Sequence, residues 1–199
     1  MSYKELNRRV YDENAAEFDC RTRDYLREYI SDDAELFLAS LNGRRILDLG
    51  SGSGRDSLFF KDRGFNPVCV DFSSAMIDLC RAKGLRAVIM DLENLTFANN
   101  SFDAVWAYTS LLHIPKINLN AVLNKINDIL KDSGIFYMGM KEGNFEGWIK
   151  SDKYTGQRFF ALYSDEELRR AVGVNFDIFH TSRVELGNAV FLNYLCRRK

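Results

Sequence analysis

The sequence predicts an α/β protein: a three-layer sandwich in which helices flank a mostly parallel sheet, opened by helices and closed by an antiparallel hairpin. Three observations predict it. Short apolar runs of buried-strand type, at 45–50, 66–71, 86–91, 102–108 and 135–140, alternate with stretches of helical spacing. The first run ends in Asp48-Leu49-Gly50 and passes directly into a loop with glycine at 50, 52 and 54, which reads as a strand feeding a nucleoside-binding turn. The chain then finishes on two consecutive strand-like runs, about 174–182 and 189–196, which implies a hairpin at one sheet edge.

Each element follows from its local pattern. Leu6, Val10, Tyr11, Ala15 and Phe18 recur at helical spacing, and a second amphipathic piece runs from about Asp32 through Ala34, Phe37, Leu38 and Leu41 to Gly43, so 1–43 forms an N-terminal helical cap. The core is expected over 44–140. After the glycine loop, Leu58, Phe59 and Phe60 mark the apolar side of a helix whose free N–H groups point back at the loop. The 66–71 strand leads to a helix with a serine start at Ser73 and a glycine stop at Gly84. The turn formers Asn99, Asn100 and Ser101 introduce the fourth strand. Leu119, Val122, Leu123, Ile126, Ile129 and Leu130 mark a helix closed by Gly134 before the fifth strand. The stretch 141–163 is long, aromatic and without period, and reads as an insert that covers a substrate. Ser164-Asp165-Glu166-Glu167 is a capping box opening a helix that ends near Gly173, and 164–199 holds this helix and the terminal hairpin.

At 199 residues, 1–199 is expected to form one domain. Its formal net charge of −1 gives no global field for a polyanion, which counts against nucleic acid as partner. Cys20, Cys69, Cys80 and Cys196 share no metal-ligand spacing, so no metal is expected and the thiols are read as reduced. The first residues lack the apolar segment of a signal peptide, and no run approaches the roughly 18 apolar residues of a membrane span. A cytoplasmic protein, monomeric or homodimeric and without a membrane partner, is the expectation.

The dinucleotide fingerprint would place a third glycine at position 55, where Arg55 stands, and this weakens a nicotinamide reading. The segment Asp48-Leu49-Gly50-Ser51-Gly52-Ser53-Gly54 instead resembles motif I of the class I S-adenosylmethionine-dependent methyltransferases, and the order of elements resembles their seven-stranded, Rossmann-like fold. That resemblance implies S-adenosyl-L-methionine as cofactor, bound by Asp48, Gly50, Ser51, Gly52 and Gly54. Asp71, 21 residues after Gly50 with Phe72 beside it, has a carboxylate able to accept both ribose hydroxyls, the role of the matching acid in the family; its alternative role is a helix cap. Asp91 and Leu92 resemble the pair that holds adenine, and Asp91 otherwise reads as a solvated loop residue. Met76 is placed either on the adenine face or in ordinary core. Tyr108 matches the position that contacts the methionine end.

On the substrate side, Tyr108-Thr109-Ser110-Leu111-Leu112-His113-Ile114-Pro115 departs from the Asn/Asp-Pro-Pro-Tyr/Phe pattern of amide- and base-amine-methylating enzymes, and no Pro-Cys nucleophile occurs. His113 falls in this loop, where a neutral imidazole removes or orients a proton. Arg158, Tyr154 and Trp148 of the insert form a candidate clamp for an acidic or planar substrate. Tyr11 resembles the tyrosine of N-terminal lids in relatives and reads equally as core, while His180 reads as structural. The resulting reading is methyl transfer to an O, N or C nucleophile of a small-molecule acceptor. A wobble-base tRNA methyltransferase and a non-catalytic cofactor-binding partner stand as alternatives.

Overall fold

The computed structural model describes residues 2–150 and 154–199; positions 151–153 of the expected insert lie outside the described residues. Four helices open the chain: α1 (Tyr3–Glu13), α2 (Ala15–Thr22), α3 (Tyr25–Tyr29) and α4 (Ser31–Ala39). The alternating section is β1 (Arg45–Leu49), α5 (Arg55–Asp62), β2 (Asn66–Asp71), α6 (Ser74–Ala82), β3 (Arg86–Ile89), β4 (Phe102–Tyr108), α7 (Lys116–Ile129) and β5 (Leu130–Lys141). It is followed by β6 (Phe145–Lys150), β7 (Gln157–Leu162), α8 (Asp165–Val172), β8 (Phe176–Leu186) and β9 (Ala189–Arg198).

Seven strands form one sheet in the order β3-β2-β1-β4-β5-β9-β8. The first five are parallel, and β9 runs antiparallel to both β5 and β8. Because side chains alternate along a strand, each strand supplies both faces. Ala104, Trp106 and Tyr108 of β4 face α3, α4 and α5 together with Phe37, Phe60 and Tyr137, whereas Val105 and Ala107 face α7 and α8 together with Leu123, Ile126 and Leu168. This double burial is why the strands read as apolar runs and not as alternating ones. Trp106 stacks on Tyr137 at 3.8 Å and 7°. One buried polar residue in that layer is Asp33 on α4, which accepts from Tyr137 Oη at 2.8 Å, from Asn193 Nδ2 at 3.2 Å and from the Ser182 hydroxyl. His180 lies against the same carboxylate at 3.3 Å, a contact that ties the edge strand to α4.

The predicted sandwich, parallel sheet and hairpin are present, and several local boundaries differ. The helical period at residues 6–18 is interrupted at Asn14, whose side chain bonds back to the Val10 carbonyl at 2.7 Å and ends α1. The insert is structured: β6 and β7 pair as a two-stranded hairpin, Phe145 opposite Leu162. Its alternation is hidden from the sequence because β6 is largely exposed and Gly147 interrupts it. β3 stops at Ile89, so Asp91 stands two residues past the strand and not at its end. β5 begins at Leu130 through an irregular pairing with β4. No helix among the described residues is long and apolar enough to cross a membrane.

Candidate functional site

The order of the sheet reverses between β1 and β4, and their carboxyl ends open a crevice there. A cavity of about 640 Å³ occupies it, a size that holds a nucleoside and a small second molecule together. Gly50, Ser51 and Gly52 line it with backbone, and the Gly50 and Ser51 N–H groups both donate to the Val70 carbonyl, at 2.8 and 3.0 Å, drawing the loop tight over β2. Gly50 has φ +76°, and a Cβ there would meet Ser110 Cβ at 2.3 Å, so only glycine lets the loop pass.

Two loop residues are corrected by their surroundings. Gly54 does not line the cavity: it starts α5 at φ +82°, where a Cβ would stand 2.6 Å from Leu85 Cδ1 and 2.9 Å from Cys80 Sγ. Its glycine serves packing of loop on helix. Asp48 points away from the cavity into the layer beneath, where it is buried and accepts from Ser57 Oγ at 2.7 Å. Burial pushes its carboxyl well above the usual range.

Asp71 and Phe72 do line the cavity. One Asp71 oxygen accepts from Ser73 N–H and the other from Gly52 N–H, both at 2.9 Å, which orients the carboxylate and leaves one lone pair on each oxygen for a diol. Burial raises its pKa, opposed by the backbone N–H groups of Ser73, Gly52 and Phe72. The capping role falls to Ser73, whose hydroxyl accepts from Met76 N–H. Met76 itself is fully buried on α6 and does not reach the cavity, so its place is core. Asp91 and Leu92 line the far end. There one Asp91 oxygen accepts from Glu93 N–H at 3.0 Å, and the other takes Lys4 at 2.7 Å and Asn94 Nδ2 at 3.2 Å.

The opposite wall joins three residues from distant parts of the chain. His113 Nδ1 lies 2.7 Å from the Phe159 carbonyl, which only a protonated nitrogen can satisfy, so Nδ1–H donates there and Nε2 is left as acceptor. Tyr11 Oη donates to that Nε2 at 2.8 Å and in turn accepts from Arg158 Nη1 at 2.9 Å. Burial pushes the His113 ring down to about 4 and keeps it neutral, with the Arg158 charge acting in the same direction. Burial also raises the Tyr11 phenol, against the pull of Arg158. His113 therefore does not face an acceptor alone; its free nitrogen is already held by Tyr11. Arg158 and Phe160 share the cavity face of β7, with Tyr154 beside them. Trp148 is corrected: it pairs across the hairpin with Phe159, packs edge-on against that ring at 5.9 Å, and stands on the other face, outside the cavity.

Sequence reading missed several lining residues. Arg55 and Asp56 form a bidentate pair, at 2.5 and 3.0 Å, and Trp106 Nε1 donates to Asp56 at 2.9 Å. The Arg55 guanidinium lies over the Tyr25 and Tyr108 rings. Tyr108, the residue expected at the methionine end, lines the cavity from this side and buries a hydroxyl without a hydrogen-bond partner among the described residues. Thr109, a β-branched residue at φ +56°, holds a backbone conformation that such residues avoid and that clusters at functional sites. Lys4 and Lys141 also line the cavity. Of the residues missed, Arg55 alone carried a local signal, standing where a dinucleotide fingerprint has glycine.

Residues 46–134 match the family model described as a methyltransferase domain. Over 133 residues the chain is 25% identical to the phosphoethanolamine N-methyltransferase of Plasmodium falciparum, covering 62% of this chain and 49% of that one. It is 30% identical over 103 residues to the sarcosine/dimethylglycine N-methyltransferase of Aphanothece halophytica, covering 47% and 36%. The matches thus span half or less of these relatives' own length. Among solved structures, the Burkholderia thailandensis 1,6-didemethyltoxoflavin-N1-methyltransferase, determined with 1,6-didemethyltoxoflavin and S-adenosylhomocysteine, superposes with a TM-score of 0.72 at 21% identity, covering 96% of this chain and 88% of that one. That likeness is one of fold.

Proposed function

Residues 46–134 are a class I methyltransferase domain, and from that premise we propose that the chain transfers a methyl group from S-adenosyl-L-methionine to a small-molecule acceptor and releases S-adenosylhomocysteine. One observation carries the proposal: a diol-ready carboxylate, Asp71, and a proton-handling chain, Arg158–Tyr11–His113, open onto the same cavity.

The residues present fit the cofactor. Asp71 is oriented with one lone pair left on each oxygen, the exposed backbone of Gly50, Ser51 and Gly52 admits a close ligand, and Leu92 offers an apolar surface at the far end. When bound, the cofactor supplies a sulfonium methyl group whose bonding pair stays with sulfur as the acceptor attacks. The chain's own residues supply alignment, water exclusion and a route for the acceptor's proton. Tyr11 is the group of the relay that meets the acceptor. As its oxygen receives the acceptor's proton, its own proton passes to His113 Nε2, and the Nδ1–H bond to Phe159 holds the ring in place throughout. Arg158 favours the negative charge that develops on the Tyr11 oxygen during the transfer.

Small molecules are favoured over tRNA because α1 and the β6–β7 hairpin stand over the cavity, joined by Asn7, whose side chain pairs with both N–H and C=O of Phe159. Calorimetric titration with S-adenosylmethionine and S-adenosylhomocysteine tests the reading, using wild type beside Asp71→Ala. Micromolar binding is expected, weakened by roughly tenfold to a hundredfold in the variant, because a carboxylate accepting two hydroxyls is lost. Absence of binding by folded wild type sinks the proposal.

A further inference from the structure

Resting on the methyl-transfer reading, we infer that the acceptor is a small oxyanion, a carboxylate- or phosphate-bearing molecule, held between Arg158 on β7 and Lys141 at the end of β5.

Each lining carboxylate already has its own partner. Asp56 holds Arg55 and Trp106, Asp71 takes two backbone N–H groups, and Asp91 and Glu93 share Lys4. Of the remaining lining cations, Arg21 pairs with Glu17 at 2.7 Å and Arg8 approaches Asp12 at 3.9 Å. Two are left over. Neither Arg158 nor Lys141 has a carboxylate within salt-bridge distance among the described residues, although both line the cavity and neither is fully exposed.

Arg158 is the more telling of the two. Its guanidinium stands 5.4, 5.1 and 5.1 Å from the ring centroids of Tyr11, Tyr154 and Phe160. Aromatic faces compensate part of the lost hydration of a guanidinium but supply no acceptor oxygen. Of its five N–H donors, one is spent on Tyr11. The remaining fork has the geometry of a carboxylate or phosphate edge. Lys141 adds a second, point-like charge from the main sheet, one strand over from Tyr108.

The position of the anion constrains the rest of the acceptor. Arg158 is bonded to Tyr11, so a molecule seated on Arg158 brings to the relay only an oxygen or nitrogen lying within a few bonds of its acid group. Hydroxy acids, amino acids and phosphorylated amines have that form; a neutral apolar acceptor leaves two cations unanswered.

The test uses the protein saturated with S-adenosylhomocysteine, so that the cofactor's own carboxylate is already accommodated, and titrates benzoate, phenyl phosphate and neutral benzamide by calorimetry. At least one anion is expected to bind, benzamide not, and the preferred anion tells carboxylate from phosphate. Arg158→Met and Lys141→Met should each weaken that anion by about tenfold, the scale of one charge-assisted hydrogen bond. Both should keep S-adenosylhomocysteine affinity within about twofold, since neither residue is assigned to the nucleoside half. Lys141→Met is the safer variant, because Arg158→Met also removes a bond to Tyr11. The inference is overturned by equal binding of benzamide, by no anion binding, or by variants that lose S-adenosylhomocysteine but keep 5′-methylthioadenosine, which lacks the amino-acid end. Wild type that binds neither nucleoside removes the methyl-transfer reading itself, and an anion titration of the free protein then still decides whether the two cations form a site.

Discussion

At the scale of single residues, the chemistry of this cavity depends on one tautomer. The Phe159 carbonyl demands a proton on His113 Nδ1, and this leaves Nε2 as the sole basic atom of the relay. Tyr11→Phe removes the link to the acceptor while keeping the ring and its edge contact with His113 at 5.6 Å. It should lower kcat by roughly a hundredfold or more with KM little changed, the range for losing positioned acid–base chemistry, as read from steady-state kinetics once an acceptor is in hand. His113 also leaves a mark on stability. Its ordinary value of 6.5 falls to about 4 in the fold, so as pH drops the unfolded chain takes up the proton first. The stability this neutral ring contributes is complete above about 6.5 and is lost between there and about 4. His113→Gln should therefore show a flatter dependence of Tm on pH across that window than wild type; parallel curves would contradict the assignment.

At the scale of elements, α1 does more than extend the core. Along its length it meets Asp91 through Lys4, the β7 backbone through Asn7, the relay through Tyr11, and the start of α6 through Asp12, which accepts from Ser73 Oγ at 2.6 Å and Ala75 N–H at 3.1 Å. One helix thus spans both halves of the cavity. Asn7 acts as a substitute strand neighbour for β7, so Asn7→Leu strands the Phe159 N–H, while the Phe159 carbonyl keeps its bond from His113 Nδ1. We expect a loss of about 1–3 kcal/mol in denaturant-derived stability and faster exchange of the Phe159 amide hydrogen. Unchanged exchange would mean that the hairpin is held by its other contacts. The β6–β7 pairing also explains the fate of two predicted clamp residues. Arg158 and Trp148 both lie in the aromatic insert, yet the pleat parity of the hairpin turns one into the cavity and the other out.

At the scale of the molecule, the site lies between layers tied together by the cavity's own lining, so occupancy should stabilise the whole. S-adenosylhomocysteine at a hundred times its Kd adds about 2.7 kcal/mol, which corresponds to a rise in Tm of roughly 5–10 °C for a chain of this size. Thermal scans of wild type and Asp71→Ala with and without ligand at the same concentration check this, and the variant should lose about half of the rise or more. The three-layer sandwich, the parallel order and the terminal hairpin were legible in the sequence, because buried strands write their burial as apolar runs and turns write their φ as glycine. The tight turn at Gly50 and the place of Asp71 at the end of β2 were legible for the same reason: they depend on backbone geometry within a few residues. What only the tertiary structure decided is everything assembled across distance. It sent Asp48, Gly54 and Met76 into packing and brought Tyr11, His113 and Arg158 into one chain of hydrogen bonds from three separate elements. It also left Arg158 and Lys141 as the cavity-lining cations without an acid among the described residues, a property of where the other charges fall. Local patterning records the conformation of neighbours along the chain, whereas hydrogen-bond partnership and charge balance are relations among neighbours in space.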